Sequence, residues 1–482
     1  MSRPDMIDVF KPEKHTVKVM QFGEGNFLRA FVDYMIDVAN EKIDLDIGVA
    51  VVKPIDYGTL DAFKKQQNMY TLILRGVANG ETINESRVIR SIAEVMDARE
   101  DYAHMCETAC LDTLRFVVSN TTEAGIVYDE NDRFELEPPA SYPGKLTKLL
   151  YLRWKKFSGA ADKGLILLPV ELIDNNGVKL RECVLALAKL WKLEEDFVRW
   201  VEECNIFCST LVDRIVTGNP RDELEALCEK AGYTDVLMDI GEPFGLWVIA
   251  SDKIDIVKKE LPLDQAGMPV VFTDNIKPYR ERKVRVLNGA HTSMVLGAYL
   301  AGLDTVGECM ADPLMRRYID SAVFEEIVPE VPLPLDEVTA FAKSVMERFE
   351  NPFIRHQLLS IALNSVSKWR ARVLPSVIDY TKTNGKLPKV LTFLLAALAA
   401  FYTAGEREGI KYEVRDDAAV MEFFAENASA SAADLIEKLV AREDFWGMNL
   451  SEINGFTAAV ISGLDDIRTM GAKAAIEKLL AE

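Results

Sequence analysis

A chain of 482 residues is too long for one ordinary core, so two domains are expected. With 49% hydrophobic and 27% charged residues, its balance is that of a soluble globular protein. The formal charge of −20, from 56 basic and 76 acidic residues, repels phosphate backbones and argues against a nucleic-acid partner, while leaving room for a local basic pocket that holds a small anion.

The N-terminal stretch MSRPDMIDVFKPEKHTVKVM carries no apolar run flanked by a cleavage signal, so a cytoplasmic protein is expected. Thr16–Phe22 is β-rich and ends in glycines, and Asn26–Lys42 then places Phe27, Phe31, Tyr34, Met35 and Val38 at helical spacing. Ile47–Val52, Leu114–Ser119 and Gly164–Val170 read as strands, the last two apolar enough to be buried on both faces. Apolar strands separated by helices predict a parallel sheet covered on both sides. After about residue 275 strand signals thin out, and helical patterns follow at Asn288–Ala301, Ser365–Thr381, Leu391–Ala404, Ala432–Arg442 and Ala472–Leu480.

The expected architecture is therefore an α/β Rossmann-like dinucleotide-binding domain over residues 1–277 and an all-α substrate and catalytic domain over 278–482. The boundary lies near Asp274–Tyr279, where Pro278 breaks the periodicity. The most apolar run, Val390–Ala404, is shorter than the ~20 residues a membrane span needs, so it reads as a buried helix. The seven cysteines form no CxxC pair and have no histidine at a zinc-finger spacing, so reduced core thiols are expected and no metal.

Two segments carry chemistry. Gly23-Glu24-Gly25 sits between the first strand and the first helix, where glycines let backbone N–H groups approach a pyrophosphate. The third glycine of the usual GxGxxG pattern is replaced by Leu28, and Arg29 follows as a possible source of phosphate-binding charge. An ordinary strand-to-helix turn is the alternative. The second strand ends Val52-Lys53-Pro54 rather than in the carboxylate that grips ribose hydroxyls, so Lys53 could favour a 2′-phosphate, although NAD is the expected cofactor.

The other segment is Lys283-Val-Arg-Val-Leu-Asn288-Gly-Ala-His291. On an α-helix, His291 lies about 80° and Asn288 about 140° round from Lys283, so one broad face can present all three. Oxidising an alcohol needs a base for the hydroxyl proton, and a lysine serves if burial and neighbouring cations such as Arg282 and Arg285 lower its pKa. Asn288 can donate its amide to the developing alkoxide, and His291 can hydrogen-bond the substrate oxygen or orient the lysine. A solvated basic stretch with a capping asparagine is the alternative.

With both ends in view, the sequence resembles the polyol-specific long-chain dehydrogenase/reductase family, typified by mannitol dehydrogenase. The resemblance rests on QFGEGNFLRAFVDYMID (Gln21–Asp37), SNTTEAGI (Ser119–Ile126), LVDRIVTGNP (Leu211–Pro220), EPFGLWVI (Glu242–Ile249), KVRVLNGAHTSMV (Lys283–Val295) and RFENPFI (Arg348–Ile354). It implies Lys283 as general acid/base, Asn288 as oxyanion donor and His291 beside the substrate hydroxyl. Phe22, Gly23, Gly25, Asn26, Phe27 and Asn120 are the implied cofactor-binding set, with a turn asparagine the alternative at Asn120. Asp213 and Lys368 are implied substrate contacts, with a pair between Asp213 and Arg214 the alternative for the first. Two positions depart from the family. Leu172 replaces its second oxyanion asparagine, leaving Asn175 or Asn176 as substitutes, and Arg280 replaces a glutamate three residues before the lysine. An arginine there suits a carboxylate-bearing substrate. Together with Arg282, Lys283 and Arg285 it gives reason to bind a small-molecule anion, and this agrees with the sugar-acid substrate that the resemblance implies, altronate oxidised to tagaturonate or the reverse. Fructuronate/mannonate, or an uncharged polyol such as mannitol, is the alternative.

Overall fold

In the computed structural model, residues 3–122 and 124–481 are described, so Glu123 of the SNTTEAGI stretch lies outside the described residues. The chain divides into two compact units. The first is the chain up to Arg75 with Thr82–Ile276; the second is Gly76–Glu81 with the chain from Lys277 onward. A single cut between residues 277 and 278 does not include the excursion at Gly76–Glu81.

The first unit is built on six parallel strands: β1 (Val17–Phe22), β2 (Gly48–Lys53), β3 (Ile92–Asp97), β4 (Phe116–Ser119), β5 (Ile166–Pro169) and β6 (Ile206–Phe207). Their spatial order is β3-β2-β1-β4-β5-β6, the doubly wound order in which the chain reverses direction across the sheet between β1 and β4. Alternation along each strand separates the two faces. Val19, Val49, Val51, Phe116 and Val118 pack with Phe31, Met35 and Trp247 on one side. Met20, Phe22, Ala50, Val52 and Val117 pack with Leu146, Val184 and Phe197 on the other. Phe22 aligns with Val52 on one neighbour and with Ser119 on the other. The loops that follow β1, β2 and β4 thus leave the sheet side by side.

Strands that the sequence pattern does not flag complete this part of the chain. Ser209–Asp213, Leu246–Ala250 and Val270–Thr273 form a three-stranded sheet, and Tyr70–Ala78, Glu81–Ile89, Val216–Gly218 and Asp239–Gly241 a four-stranded one. Glu81–Ile89 (ETINESRVI) is mostly polar and exposed, so it lacks the apolar alternation on which a strand assignment depends.

From Lys277 onward the described residues of the second unit are helical apart from the two-residue strands Glu406–Arg407 and Ile410–Lys411. Its buried centre is the helix Lys389–Ala404, in which every residue from Val390 to Tyr402 is buried. Glu326 caps it, accepting the Val390 and Leu391 N–H groups at 2.9 Å each. Two helix expectations change. Ser365–Thr381 is not continuous but splits at Val373 into Ser365–Arg372 and Leu374–Asn384, because Pro375 has no N–H to donate and is accommodated only in a first turn. The helix expected from Asn288 starts earlier, running Lys277–Arg282, then a π-helical stretch Lys283–Asn288, then Gly289–Leu300. Among the described residues no helix is long and apolar enough to cross a membrane.

Candidate active site

The glycine turn forms one wall of a cavity of about 820 Å3 in the first unit. Gly23, Glu24 and Gly25 follow β1, Pro54 and Ile55 follow β2, and Asn120, Thr121 and Thr122 follow β4, so the cavity opens at the carboxyl ends of the strands where the chain reverses. Gly23 donates its N–H to Val52 O at 2.9 Å and has φ of +127°. A Cβ there would also stand 3.0 Å from Leu28 Cδ1 and 3.2 Å from Asn120 O, so only glycine fits. Gly25 differs. Nothing lies within 4 Å of where its Cβ would be, which leaves open space for a ligand to approach the backbone at the helix start. The residues present fit the pyrophosphate of a dinucleotide.

Three of the residues expected to hold a cofactor line this cavity: Gly23, Gly25 and Asn120. The side chains of the other three serve the fold. Phe22 is fully buried with its ring 5.0 Å from that of Tyr142, and Phe27 stacks on Phe31 at 5.0 Å. Asn26 accepts a hydrogen bond from Arg29. Arg29 is not a phosphate ligand; it is buried, donates to Leu237 O at 2.5 Å, and lies over the Tyr70 ring at 5.1 Å and 3.8 Å from Asp239. Lys53 is likewise committed, 2.6 Å from Asp97 Oδ2 at the end of β3 and donating to Ile55 O at 2.8 Å. It is not available to a 2′-phosphate. Glu24, whose pKa is raised chiefly by burial, faces the same corner.

The sequence gives no hint of Glu171's part. Its buried carboxylate accepts the Thr121 N–H at 3.0 Å, the Thr121 hydroxyl at 2.9 Å and the Ser119 hydroxyl at 3.1 Å. It thereby fixes the loop that carries Asn120. Asn176 cannot replace the missing oxyanion asparagine. Its amide nitrogen is spent on Pro169 O, Glu171 O and Thr210 O, and its oxygen on the Thr210 N–H. Asn175 is exposed in a left-handed conformation at the helix start.

Asp213 ends the strand Ser209–Asp213 and is buried. Arg214 gives its guanidinium to the Phe244, Ala30 and Pro243 carbonyls, and burial lowers its pKa to about 10.

In the second unit, Lys283 and Asn288 open and close the π-helical stretch. A π turn bonds residue i to i+5, spending one residue more than an α turn, so Asn288 is rotated back toward the face of Lys283 instead of standing 140° away. Both are half-buried, as is His291 one turn later in Gly289–Leu300. The His291 ring lies against Phe349 with centroids 4.2 Å apart and meets His356 edge-on at 5.4 Å. Burial, then its neighbour His356 and the cations Arg348, Arg372 and Lys368, depress its pKa to about 3. His291 is therefore neutral throughout the physiological range.

The basic run around Lys283 is not the free anion-binding cluster expected of it. Arg282 is buried over the Phe341 ring at 4.5 Å with its guanidinium 2.5 Å from Glu337. Arg285 pairs with Asp379 and donates to Glu330 O at 2.6 Å. Both are consumed by helix packing, as like charges in an amphipathic helix commonly are. Arg280 is half-buried in Lys277–Arg282. Lys368 is half-buried in Ser365–Arg372 and donates to Ile361 O at 2.8 Å. That helix approaches the segment between Asn288 and His291 closely, since a Cβ on Gly289 would stand 3.3 Å from Arg372 O.

Comparison with known proteins agrees with this division. The family model described as the mannitol dehydrogenase Rossmann domain matches residues 17–265, and the one described as the mannitol dehydrogenase C-terminal domain matches 275–468. An altronate oxidoreductase of Yersinia pestis is 46% identical over 474 residues, covering 97% of this chain and 98% of that protein. One of Escherichia coli O7:K1 is 46% identical over 477 residues, covering 98% of each. Among solved structures, the ternary complex of Pseudomonas fluorescens mannitol 2-dehydrogenase with NAD and D-mannitol matches with a TM-score of 0.66 at 23% identity, over 97% of this chain and 95% of that one. With two adjoining domains matched from residue 17 to residue 468 and near-full-length relatives at this identity, the chain belongs to the mannitol dehydrogenase family.

Proposed function

We propose that this protein is a cytoplasmic, NAD-dependent oxidoreductase that interconverts D-altronate and D-tagaturonate. The near-full-length relatives named altronate oxidoreductase support the substrate, and the NAD-bound mannitol 2-dehydrogenase supports the cofactor. The observation that supports the chemistry is the π-helical stretch Lys283–Asn288, whose wider turn rotates Asn288 toward the face of Lys283, with a neutral His291 in the helix that follows. Gly23, Gly25 and Asn120 would hold the dinucleotide, with Phe22, Asn26 and Phe27 shaping the turn beneath it. The pairing of Lys53 with Asp97, beside Glu24, leaves negative charge where a 2′-phosphate would enter, so NAD is preferred over NADP.

A nicotinamide held by these residues would supply the hydride acceptor for oxidation of the alcohol carbon and the hydride donor for the reverse reduction. In oxidation Lys283 takes the hydroxyl proton as the carbon–hydrogen bond breaks. Asn288 donates its amide N–H to the oxygen while negative charge develops on it. His291, uncharged, hydrogen-bonds that hydroxyl without competing for the proton. Asp213, Arg280 and Lys368 bind the substrate, and Asn175 is the candidate for the second oxyanion contact. In reduction the lysine returns the proton.

The test is absorbance at the nicotinamide band with purified protein, NADH or NADPH, and a panel of tagaturonate, fructuronate and fructose. Tagaturonate with NADH is expected to give the highest kcat/KM. Turnover of fructose or fructuronate but not tagaturonate would overturn the substrate assignment.

A further inference from the structure

Several of the buried and half-buried cations in the second unit are answered by carboxylates. Arg282 has Glu337, Arg285 has Asp379, Arg316 has Asp320 and Glu350, and Arg407 has Asp304. Arg372 stands apart. It is half-buried, yet among the described residues its one hydrogen-bond partner is the Thr292 hydroxyl at 3.4 Å, the long end of the range. It closes the helix Ser365–Arg372, one turn after Lys368 and on the same face. Among the described residues Lys368 donates a hydrogen bond only to the Ile361 carbonyl. The nearest acid felt by Lys368, Asp416, is committed to the Tyr402 hydroxyl at 2.5 Å and the Val366 N–H at 3.1 Å.

Two like charges, both half-buried and one helical turn apart, repel each other, and among the described residues no carboxylate forms an ion pair with either; Asp416 acts on Lys368 only from a distance while held by Tyr402 and Val366. Such an arrangement is costly unless a ligand supplies the missing charge. Both groups are held below their ordinary pKa by burial, and Lys368 also by its neighbour Arg372. The cluster also lies beside the proposed reaction centre. Arg372 and Lys368 both act on His291, Thr292 adjoins it in sequence, and Thr292 donates its hydroxyl to Asn288 O at 2.8 Å. Gly289 permits the approach, because a side chain there would press on the Arg372 carbonyl.

We propose that Arg372, with Lys368 one turn before it, forms the subsite that receives the carboxylate of the sugar acid and so selects acids over uncharged polyols. The planar guanidinium suits a carboxylate held by two parallel N–H bonds, and the lysine adds a point charge. This rests on reading the site as one for a sugar acid, and it moves the carboxylate anchor from the arginines flanking Lys283 to a different helix.

The experiment measures calorimetric binding of altronate and of mannitol to the NADH-loaded protein, where neither can be oxidised, and NADH-linked reduction of tagaturonate, for the unaltered protein, Arg372→Ala and Arg372→Lys. Arg372→Ala is expected to raise the KM for tagaturonate and the Kd for altronate roughly 10- to 100-fold, the scale of a lost charge-assisted contact, with the KM for NADH within twofold. Millimolar guanidinium should restore part of the affinity, and Arg372→Lys should fall between. A merely structural arginine would not give a KM change that guanidinium reverses. An Arg372→Ala protein that binds altronate within threefold of the unaltered one overturns the subsite. Should Arg372→Ala not fold, Arg372→Lys decides, because losing bidentate geometry must still raise the KM several-fold. An unaltered protein that binds altronate more tightly than mannitol but reduces no tagaturonate overturns the reaction and not the subsite. Equal affinity for both ligands overturns the subsite.

Discussion

The two units treat buried charge in opposite ways. In the first, arginines and lysines drawn into the interior are engaged by the protein itself. Arg29 is held by Leu237 O, Asn26 and Asp239, Arg214 by three carbonyls, and Lys53 by Asp97. What remains costly there is acidic: Asp33 and Asp239 have pKa values pushed by burial to about 7 and about 6. In the second unit one buried acid, Glu326, is raised likewise to about 7, but the groups crowding the neutral His291 are basic. The difference teaches where each unit expects its ligand to supply something. A nucleotide cradle works through backbone N–H groups and needs its side chains locked, whereas a site for a small anion gains affinity from cations left unanswered.

The largest expected effect tests this division directly. Lys283→Ala should lower kcat by 10²–10⁴, the usual worth of a general base, while NADH affinity from fluorescence titration stays unchanged. Near-normal turnover would remove the mechanism. Next comes the cradle. Gly23→Ala places a Cβ against Leu28 and Asn120 at a φ of +127°, so the Kd for NADH should rise roughly tenfold or more, with a smaller change in kcat at saturating cofactor. An unchanged Kd would mean that the cavity at the strand ends does not hold the cofactor.

Stability should report the acidic side of the comparison. The folded pKa of Asp33 lies at about 7 against an ordinary 3.8, so the folded state holds a proton that the unfolded chain releases. Stability due to this group is present below pH 3.8 and is lost as pH rises toward 7. Asp33→Asn should therefore raise the melting temperature by a few degrees at pH 8 and leave it nearly unchanged at pH 4. A gain of equal size at both pH values would show that charge is not the cause. The smallest effect is an absence. Because His291 protonates only near pH 3, replacing it with alanine should lower kcat/KM without moving any inflection of the pH profile above pH 5.

Much of this was legible in the residues. The apolar runs of β1, β2, β4 and β5 are buried on both faces, and such strands must be parallel and covered, which the period of the sequence alone conveys. The glycine turn could be placed because Gly23 answers a purely local backbone demand. Polar edge strands such as Glu81–Ile89 could not, since their only signal is pairing with another strand. Arg372 had a trace in its spacing from Lys368 within SKWRAR, but basic helix faces are common and spacing says nothing of counter-charges.

The sequence by itself determined the doubly wound sheet, the helical second half and the Lys283–Asn288–His291 spacing, because these depend on periodicity and on residues near one another in the chain. Only the tertiary structure decided which charges are spent. Whether Arg29, Lys53, Arg282 or Arg285 is available to a ligand depends on carboxylates and carbonyls mostly tens to hundreds of residues away. The π turn belongs to that second class as well: one extra residue per turn leaves no mark in composition, yet it sets which side chains face together.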